Sequence, residues 1–316
     1  MLPQPIQTQL AGARRVLVAG AGGGADVLCA LPLYFALEAA GCEAYLGSLS
    51  ASALRDANDI TWHTNTLAEV TAHSSGPTYF PEAWLARWFH EQLWRDVSVW
   101  CFSATGVRPY AQSYAWLATH LQLDAVVVVD GGVDTLLRGD EYSLGTPLWD
   151  ALTIAAVNQL EGPRKFLASV GFGAERWDKI SHAQVLARIA DLTRADAWLG
   201  VSTLLRSTQE GARFMEAAQY LFEHQPDHRP GTIASSILAA MRGEFGERSL
   251  NAYTTETPLW ISPLMCLYWF FDLPEVARQK LYLARLLDTE TLMEAADLLH
   301  AMIDAQEPGE WETIPI

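Results

Sequence analysis

Positive charge is scarce in this sequence, and lysine is nearly absent. The 316 residues include 37 Asp and Glu against 21 Lys and Arg, a formal net charge of −16, and lysine occurs only at Lys165, Lys179 and Lys280. Proteins that bind nucleic acids or anionic membranes present basic surfaces. The sequence therefore predicts no nucleic-acid and no membrane partner, and side-chain contacts to an anion would come mainly from arginine, whose planar group suits carboxylates and phosphates.

Cysteine and long apolar runs are also scarce. The 4 cysteines are widely spaced and form no Cys-x-x-Cys pair, a pattern typical of reduced thiols in a cytoplasmic protein. The uncharged stretch nearest the C-terminus, after residue 256, is too short to span a bilayer, and residues 1–10 do not show the pattern of an export signal. We therefore expect a cytoplasmic globular protein, whose 50% apolar residues build a sizeable core.

Several well-known catalytic motifs are missing. The sequence contains no Walker A lysine motif, no Gly-x-Ser-x-Gly elbow, no His-Glu-x-x-His and no Cys-His pairing. These absences disfavour P-loop, α/β-hydrolase and zincin chemistry.

Strands and helices alternate along most of the chain. Ala125 and the four valines after it predict a strand buried on both faces. A βαβ unit is predicted nearer the N-terminus, from a strand at 16–19, a glycine-rich turn, a helix up to Gly41 and a strand at 44–49. Further strands are predicted at 97–102 and 164–170, and helices at 111–121, 181–191 and 204–223. The segment 151–158 is predicted to be either a helix or a strand. The predicted fold class is α/β, a mainly parallel Rossmann-like sheet with helices on both faces and a helical C-terminal region.

Two prolines suggest a soft boundary. Pro226 and Pro230 interrupt the pattern after the long helix at 204–223. We therefore predict an α/β core at 1–225 that contains the site, and a mostly helical cap at 226–316 packed on the same domain.

The glycine-rich turn after the first strand is one candidate site. Gly20, Gly22 and Ala25 fit the spacing of the dinucleotide-binding fingerprint, but the second strand lacks the acidic residue that completes it. The predicted cofactor-binding residues are Gly20, Gly22, Gly23 and Gly24. Two interpretations remain open: the turn binds a polar or anionic ligand, or it allows tight packing while Asp26 caps the helix.

An acidic motif after the valine strand is the main candidate. Carboxylates at a strand end and in the next loop suit a hard cation such as Mg²⁺ or Mn²⁺, and because parallel strands end at one edge, the first strand could add Asp26. The predicted metal ligands are Asp26, Asp130 and Asp134, the predicted catalytic residues are Asp130, Asp134, Arg138, Asp140 and Glu141, and Arg138 is the expected clamp for an anionic substrate. The alternative is that these are turn and cap residues with an internal Asp134–Arg138 or Arg138–Asp140 pair. No histidine lies in the motif, so a zinc site is not predicted there.

The two motifs together resemble a prokaryotic family of unknown function. They are Gly20-Ala21-Gly22-Gly23-Gly24-Ala25-Asp26-Val27 and Val129-Asp130-Gly131-Gly132-Val133-Asp134-Thr135-Leu136-Leu137-Arg138-Gly139-Asp140-Glu141. A looser likeness links Asp130-Gly131-Gly132-Val133-Asp134 to the Asp-Gly-Gly-Asn-Glu signature of D-glutamate cyclases, which are α/β lyases of amino acids, although Val133-Asp134 replaces Asn-Glu. That likeness implies a small carboxylate substrate.

The sequence thus favours a metal-dependent hydrolase or lyase acting on a small anionic metabolite, a carboxylate or a phosphate. One alternative is an enzyme that binds a nucleotide or dinucleotide at the glycine-rich turn. A second is a non-catalytic ligand sensor or assembly protein, because the 12 tryptophans could form the interface of a homo-oligomer.

Overall fold

A large mixed sheet organises the molecule. A computed structural model describes residues 4–23, 26–175, 178–225, 231–250, 258–307 and 309–314. Its strands are β1 (Arg15–Gly20), β2 (Glu43–Ser50), β3 (Thr61–Trp62), β4 (Leu67–Val70), β5 (Val99–Ser103), β6 (Ala125–Gly131), β7 (Arg164–Val170), β8 (Trp198–Thr203), β9 (Gly246–Arg248), β10 (Leu259–Ile261) and β11 (Leu267–Asp272).

The spatial order of the sheet is β3-β4-β5-β2-β1-β6-β7-β11-β8, and β9 pairs with β10 separately. The inner strands β5, β2, β1, β6 and β7 are parallel, whereas β4 and β11 run antiparallel to the neighbours that flank this group. β1 has β2 on one side and β6 on the other, so the strand order reverses at β1. In open α/β sheets, the crevice outside the carboxyl ends of the strands at such a reversal is the usual ligand site.

Helices cover both faces of the sheet. They are α1 (Pro5–Leu10), α2 (Asp26–Ala39), α3 (Pro81–Leu93), α4 (Val107–Leu121), α5 (Pro147–Asn158), α6 (His182–Arg194), α7 (Gln209–His224), α8 (Thr232–Met241), α9 (Leu273–Gln279), α10 (Leu283–Leu286) and α11 (Leu292–Asp304). No helix within the described ranges is long and apolar enough to cross a membrane.

The valines of β6 show why this strand is apolar throughout. Val127 and Val129 belong to the core under α2, α3 and α7, whereas Val126 and Val128 belong to the core on the opposite face, under α4, α5 and α9. A strand covered on both faces has no solvent side on which polar residues could alternate. The four valines are therefore buried, as the sequence pattern predicts.

The predicted α/β class is confirmed, including the parallel β1–α2–β2 unit and the helices near the C-terminus. The segment 151–158, left open between helix and strand, lies in α5. The short elements that were not predicted are α1, the β3–β4 pair, β8 and the β9–β10 pair. The C-terminal region also supplies β11, which lies inside the sheet between β7 and β8.

Candidate active site

An acidic cavity of about 400 Å³ opens at the carboxyl ends of β1, β6 and β7. Acidic side chains from four segments line it, together with the first turn of α8 and the rings of Tyr79 and Trp149. No Lys, Arg or His is among the described residues of its wall. The acidic residues of the cavity are Asp26, Asp130, Asp134, Asp150, Glu175 and Asp178.

Each acidic residue reaches the cavity because of its place in the fold. Asp130 lies near the end of β6, Asp26 and Asp150 lie in the first turns of α2 and α5, and Glu175 follows β7. Gly132 makes room for Glu175, since a Cβ at this position would lie 2.5 Å from Glu175 Oε1. The residues are distant in sequence and meet only because the parallel strands end at one edge.

Three of these carboxyl groups form a tight cluster. Asp130, Asp134 and Asp150 are buried, and oxygen atoms of the three lie within 4.8 Å of one another. Two unit charges about 5 Å apart repel by roughly 3 kcal/mol at an effective dielectric constant of 20. Three such pairs would cost about as much as the whole stability of a typical domain, roughly 5–15 kcal/mol. The cluster therefore needs protons or a cation.

One oxygen of Asp130 has no protein partner. Asp130 is 3% exposed, and its Oδ2 is buried without a hydrogen bond. Its neighbour across the β6–β7 ladder is Ser169, whose hydroxyl is also buried without a partner. Burial first, and then the charges of Asp150 and Asp134, raise the pKa of Asp130 well above its ordinary value. Buried polar atoms are nearly always satisfied, so this oxygen points to a ligand.

Asp134 and Asp150 complete the cluster. Asp134 Oδ2 accepts the backbone N–H of Thr146 at 2.9 Å, which fixes the loop leading into α5. Burial and the nearby Asp134 and Asp26 raise the pKa of Asp150 well above its ordinary value, although the buried Lys280 acts in the opposite direction. The Lys280 ammonium donates to the Leu137 carbonyl and the Tyr282 hydroxyl, so it supports the cluster from behind the cavity wall.

Asp26 lies beside the cluster and is held by the glycine-rich turn. Its Oδ2 accepts the N–H of Gly22 at 3.2 Å, and a Cβ on Gly22 would lie 2.6 Å from that oxygen. Burial raises the pKa of Asp26 to about 7, while hydrogen bonding with the Gly131 and Gly22 backbone partly opposes this shift. Asp26 and Asp130 thus line one cavity, as expected, but Asp150 takes the place of Asp26 in the three-carboxylate cluster.

The glycines predicted to bind a cofactor lie at the same edge. Gly20 ends β1 and packs against the start of α2, and Gly22 and Gly23 line the cavity. Gly24 lies outside the described residues. The close approach of Gly20 to the start of α2 matches the tight-packing part of the second interpretation, whereas the Asp26 carboxylate accepts the N–H of Gly22, which precedes the helix.

Glu175 and Asp178 extend the acidic wall beyond β7. Glu175 Oε2 accepts the N–H groups of Val133 and Asp134 at 2.6 and 3.2 Å, and burial raises its pKa well above the ordinary range. Burial and the charge of Asp134 raise the pKa of Asp178, which is half-buried, to about 6. Asp26 and Asp178 therefore titrate close to neutral pH.

The second half of the acidic motif does not line this cavity. Arg138 pairs with Asp140, and the Glu141 carboxylate accepts the N–H groups of Arg138 and Gly139. The Arg138–Asp140 pair is the one that the alternative interpretation of the motif anticipated. The catalytic roles assigned to Arg138, Asp140 and Glu141 stay predictions, without support from the geometry of the cavity.

Asp150, Glu175 and Asp178 were not among the predicted catalytic, cofactor-binding or metal-binding residues. A sequence signal does exist for Asp150, because it lies in the first turn of the helix that follows the acidic motif, at the edge where parallel strands end. Its approach to Asp130 depends on how α5 packs on β6, which spacing alone does not give.

Fold and cavity together define an α/β protein with a Rossmann-like parallel core and an acidic site at the point where the strand order reverses. The chain belongs to the family described as "Protein of unknown function (DUF1152)", whose model matches residues 17–308. This confirms the resemblance to a family of unknown function. Neither the curated proteins nor the solved structures compared with the chain gave a match.

Proposed function

We propose that Asp130, Asp134 and Asp150 bind one divalent cation, Mg²⁺ or Mn²⁺, and that the protein is a metal-dependent hydrolase or lyase of a small anionic metabolite. The main support is the buried Asp130 Oδ2, which lacks a protein partner and belongs to a carboxylate that clusters with two others. Oxygen ligands of one Mg²⁺ lie at most roughly 4.2 Å apart, because the metal–oxygen distance is about 2.1 Å. The candidate ligand atoms of the cluster lie within 4.8 Å of one another, so a small inward movement of these side chains would bring them into the range of one cation.

The charge of the cavity supports a cation in a second way. An anionic substrate would be repelled by six acidic side chains in a wall without any described Lys, Arg or His. A divalent cation neutralises part of this charge and gives the phosphate or carboxylate of a substrate a partner. The cation therefore takes the role that the sequence analysis assigned to Arg138.

Two groups beside the cluster could move protons in such a reaction. General acid–base catalysis is most efficient when the pKa of the catalytic group lies near the working pH. Asp26 and Asp178 line the cavity, and in the metal-free protein their pKa values are raised to about 7 and about 6. We assign them as the candidate general acid and base of the reaction.

The decisive measurement is Mn²⁺ binding, monitored by calorimetry and by electron paramagnetic resonance of free Mn²⁺. We expect one Mn²⁺ per chain, and Asp130→Asn should weaken binding by about 100-fold or more because it removes the charge of a direct ligand. The same substitution relieves repulsion, so the metal-free variant should melt at a higher temperature than the unaltered protein.

Asp140→Asn is the matched control. Asp140 belongs to the same sequence motif, but it pairs with Arg138 away from the cavity. It should leave Mn²⁺ affinity unchanged. Equal Mn²⁺ binding by the unaltered protein and Asp130→Asn, with both folded by near-ultraviolet circular dichroism, would refute the metal site. Turnover is then sought with small phosphate esters and amino-acid derivatives, with Asp130→Asn at the same Mn²⁺ concentration as the blank.

The nucleotide alternative has less support. In dinucleotide-binding folds the free N–H groups of the glycine turn face the pyrophosphate. Here the Gly22 N–H already donates to Asp26, and a phosphate would meet that carboxylate. Addition of ATP or NAD to the metal-free protein should therefore leave its melting temperature unchanged.

A further inference from the structure

A second cavity, of about 660 Å³, adjoins the acidic one. It lies between the segment 139–149 and the end of α11, and Thr146 and Trp149 line both cavities. Thr146 is exposed and Trp149 is half-buried, so solvent reaches the rim that the two cavities share. A molecule bound at the carboxylate cluster can extend across this rim.

The second cavity differs from the acidic cavity in charge. Leu144, Leu148, Leu299 and Ile303 give its wall an aliphatic part, and its acidic and basic side chains are Glu141, His300 and the exposed Asp304, against six carboxyl groups in the acidic cavity. Its one buried carboxylate, Glu141, already accepts the N–H groups of Arg138 and Gly139. The wall therefore suits the uncharged part of a ligand.

Gln306 adds a polar contact at the border of this cavity. Its Oε1 is buried, has no hydrogen-bond partner, and belongs to a residue of the cavity wall. An amide oxygen only accepts hydrogen bonds. A ligand here would satisfy it with an N–H or O–H group.

From the shared rim and the contrast in charge, we infer that the substrate has two parts, an anionic head bound at the carboxylate cluster and a largely apolar, uncharged body bound in the second cavity. This inference rests on the proposed function, since the head binds through the divalent cation. It narrows the substrate class to phosphates or carboxylates with an apolar body, and it makes the segment 139–149 the determinant of specificity.

The test measures the affinity of the Mn²⁺-loaded protein for n-alkyl phosphates by calorimetry. The ligands are methyl, butyl and octyl phosphate, each below its micelle-forming concentration. If the alkyl chain enters the second cavity, octyl phosphate should bind at least about 30-fold more tightly than methyl phosphate, because each buried methylene adds to affinity. A parallel series from acetate to octanoate shows whether the head is a phosphate or a carboxylate, since the preferred head binds more tightly at equal chain length.

Ile303→Trp should fill the second cavity and abolish the gain with chain length, while methyl phosphate binds as before. Met293→Trp is the matched control, because Met293 lies on the same helix and is 70% exposed. The series on the unaltered protein is informative even if Ile303→Trp does not fold.

Two outcomes would overturn this inference alone: no gain with chain length in a protein that binds Mn²⁺ and methyl phosphate, or the full gain retained in folded Ile303→Trp. Absence of Mn²⁺ binding would overturn the proposed function and this inference together.

Discussion

Asp130 and Asp140 belong to one short motif, yet they differ in what their oxygens contact. Asp130 ends a buried strand and faces other carboxylates, whereas Asp140 is half exposed and binds Arg138. The sequence predicted Asp130 and Asp134 at the edge of the sheet where the cavity lies, because a valine-rich strand ends there. It could not separate them from Asp140, because a side-chain pair between nearby loop residues depends on the local backbone, which the pattern does not encode.

The raised pKa values predict how pH affects the metal-free protein. Asp26 and Asp178, at about 7 and about 6, hold protons in the folded state at a pH where the unfolded chain has lost them. Stability from such groups is present at low pH and declines as pH rises from about 4 to about 7. In the presence of a metal chelator, the melting temperature of the protein should therefore be higher at about pH 5.5 than at about pH 7.5.

Saturating Mn²⁺ should raise the melting temperature more at the higher pH, because the cation competes with protons for the carboxylates. Asp26→Asn should flatten the pH dependence in chelator. A melting temperature that climbs steadily from acidic to neutral pH without metal would contradict the raised pKa values.

Among the larger elements, strands with both faces covered were the easiest to predict. β1, β6 and β7 contain apolar runs, and their ends were predicted to within two residues. β8 was missed because most of its residues are exposed to some degree and only Leu199 is buried. An edge strand without an apolar run or a regular alternation leaves little trace in the sequence.

Glu175 holds the short 3-10 turn Asp134–Leu136 in place through the N–H groups of Val133 and Asp134. Glu175→Gln and Glu175→Ala remove the same charge, but only glutamine keeps an acceptor for these donors. We expect the alanine variant to be less stable than the glutamine variant by about 2–4 kcal/mol, since buried donors without a partner cost roughly 1–3 kcal/mol each.

Urea unfolding of the two metal-free variants at one pH gives this difference directly. Comparison of the two with each other, and not with the unaltered protein, removes the effect of the lost carboxylate repulsion. Equal unfolding free energies would show that Glu175 does not support the turn.

At the scale of the whole molecule, the C-terminal region belongs to the sheet. β11 pairs with β7 on one side and with β8 on the other, so it fills an internal position. The prolines at 226 and 230 predict a boundary, but a local break in the pattern does not show where the chain re-enters the sheet. Sheet order is a long-range property, and spacing along one sequence does not specify it.

A truncation tests this architecture. A chain ending at residue 225 keeps β7 and β8 but lacks the strand that joins them, together with the helices over α5. We expect it to be poorly soluble and to lack a cooperative thermal transition, whereas the full chain melts cooperatively. A folded 1–225 fragment with a native-like near-ultraviolet spectrum would instead support the predicted boundary as a domain border.

The position of Asp26 also has a consequence for how this fold is used. In many α/β proteins the first strand, a glycine turn and a helix amino end gather negative ligands at the crevice. Here the chain supplies its own negative group at that place, and the Gly22 N–H is occupied by it. The crevice therefore has the usual position, but acidic side chains line it where other proteins of this architecture present free N–H groups to an anion.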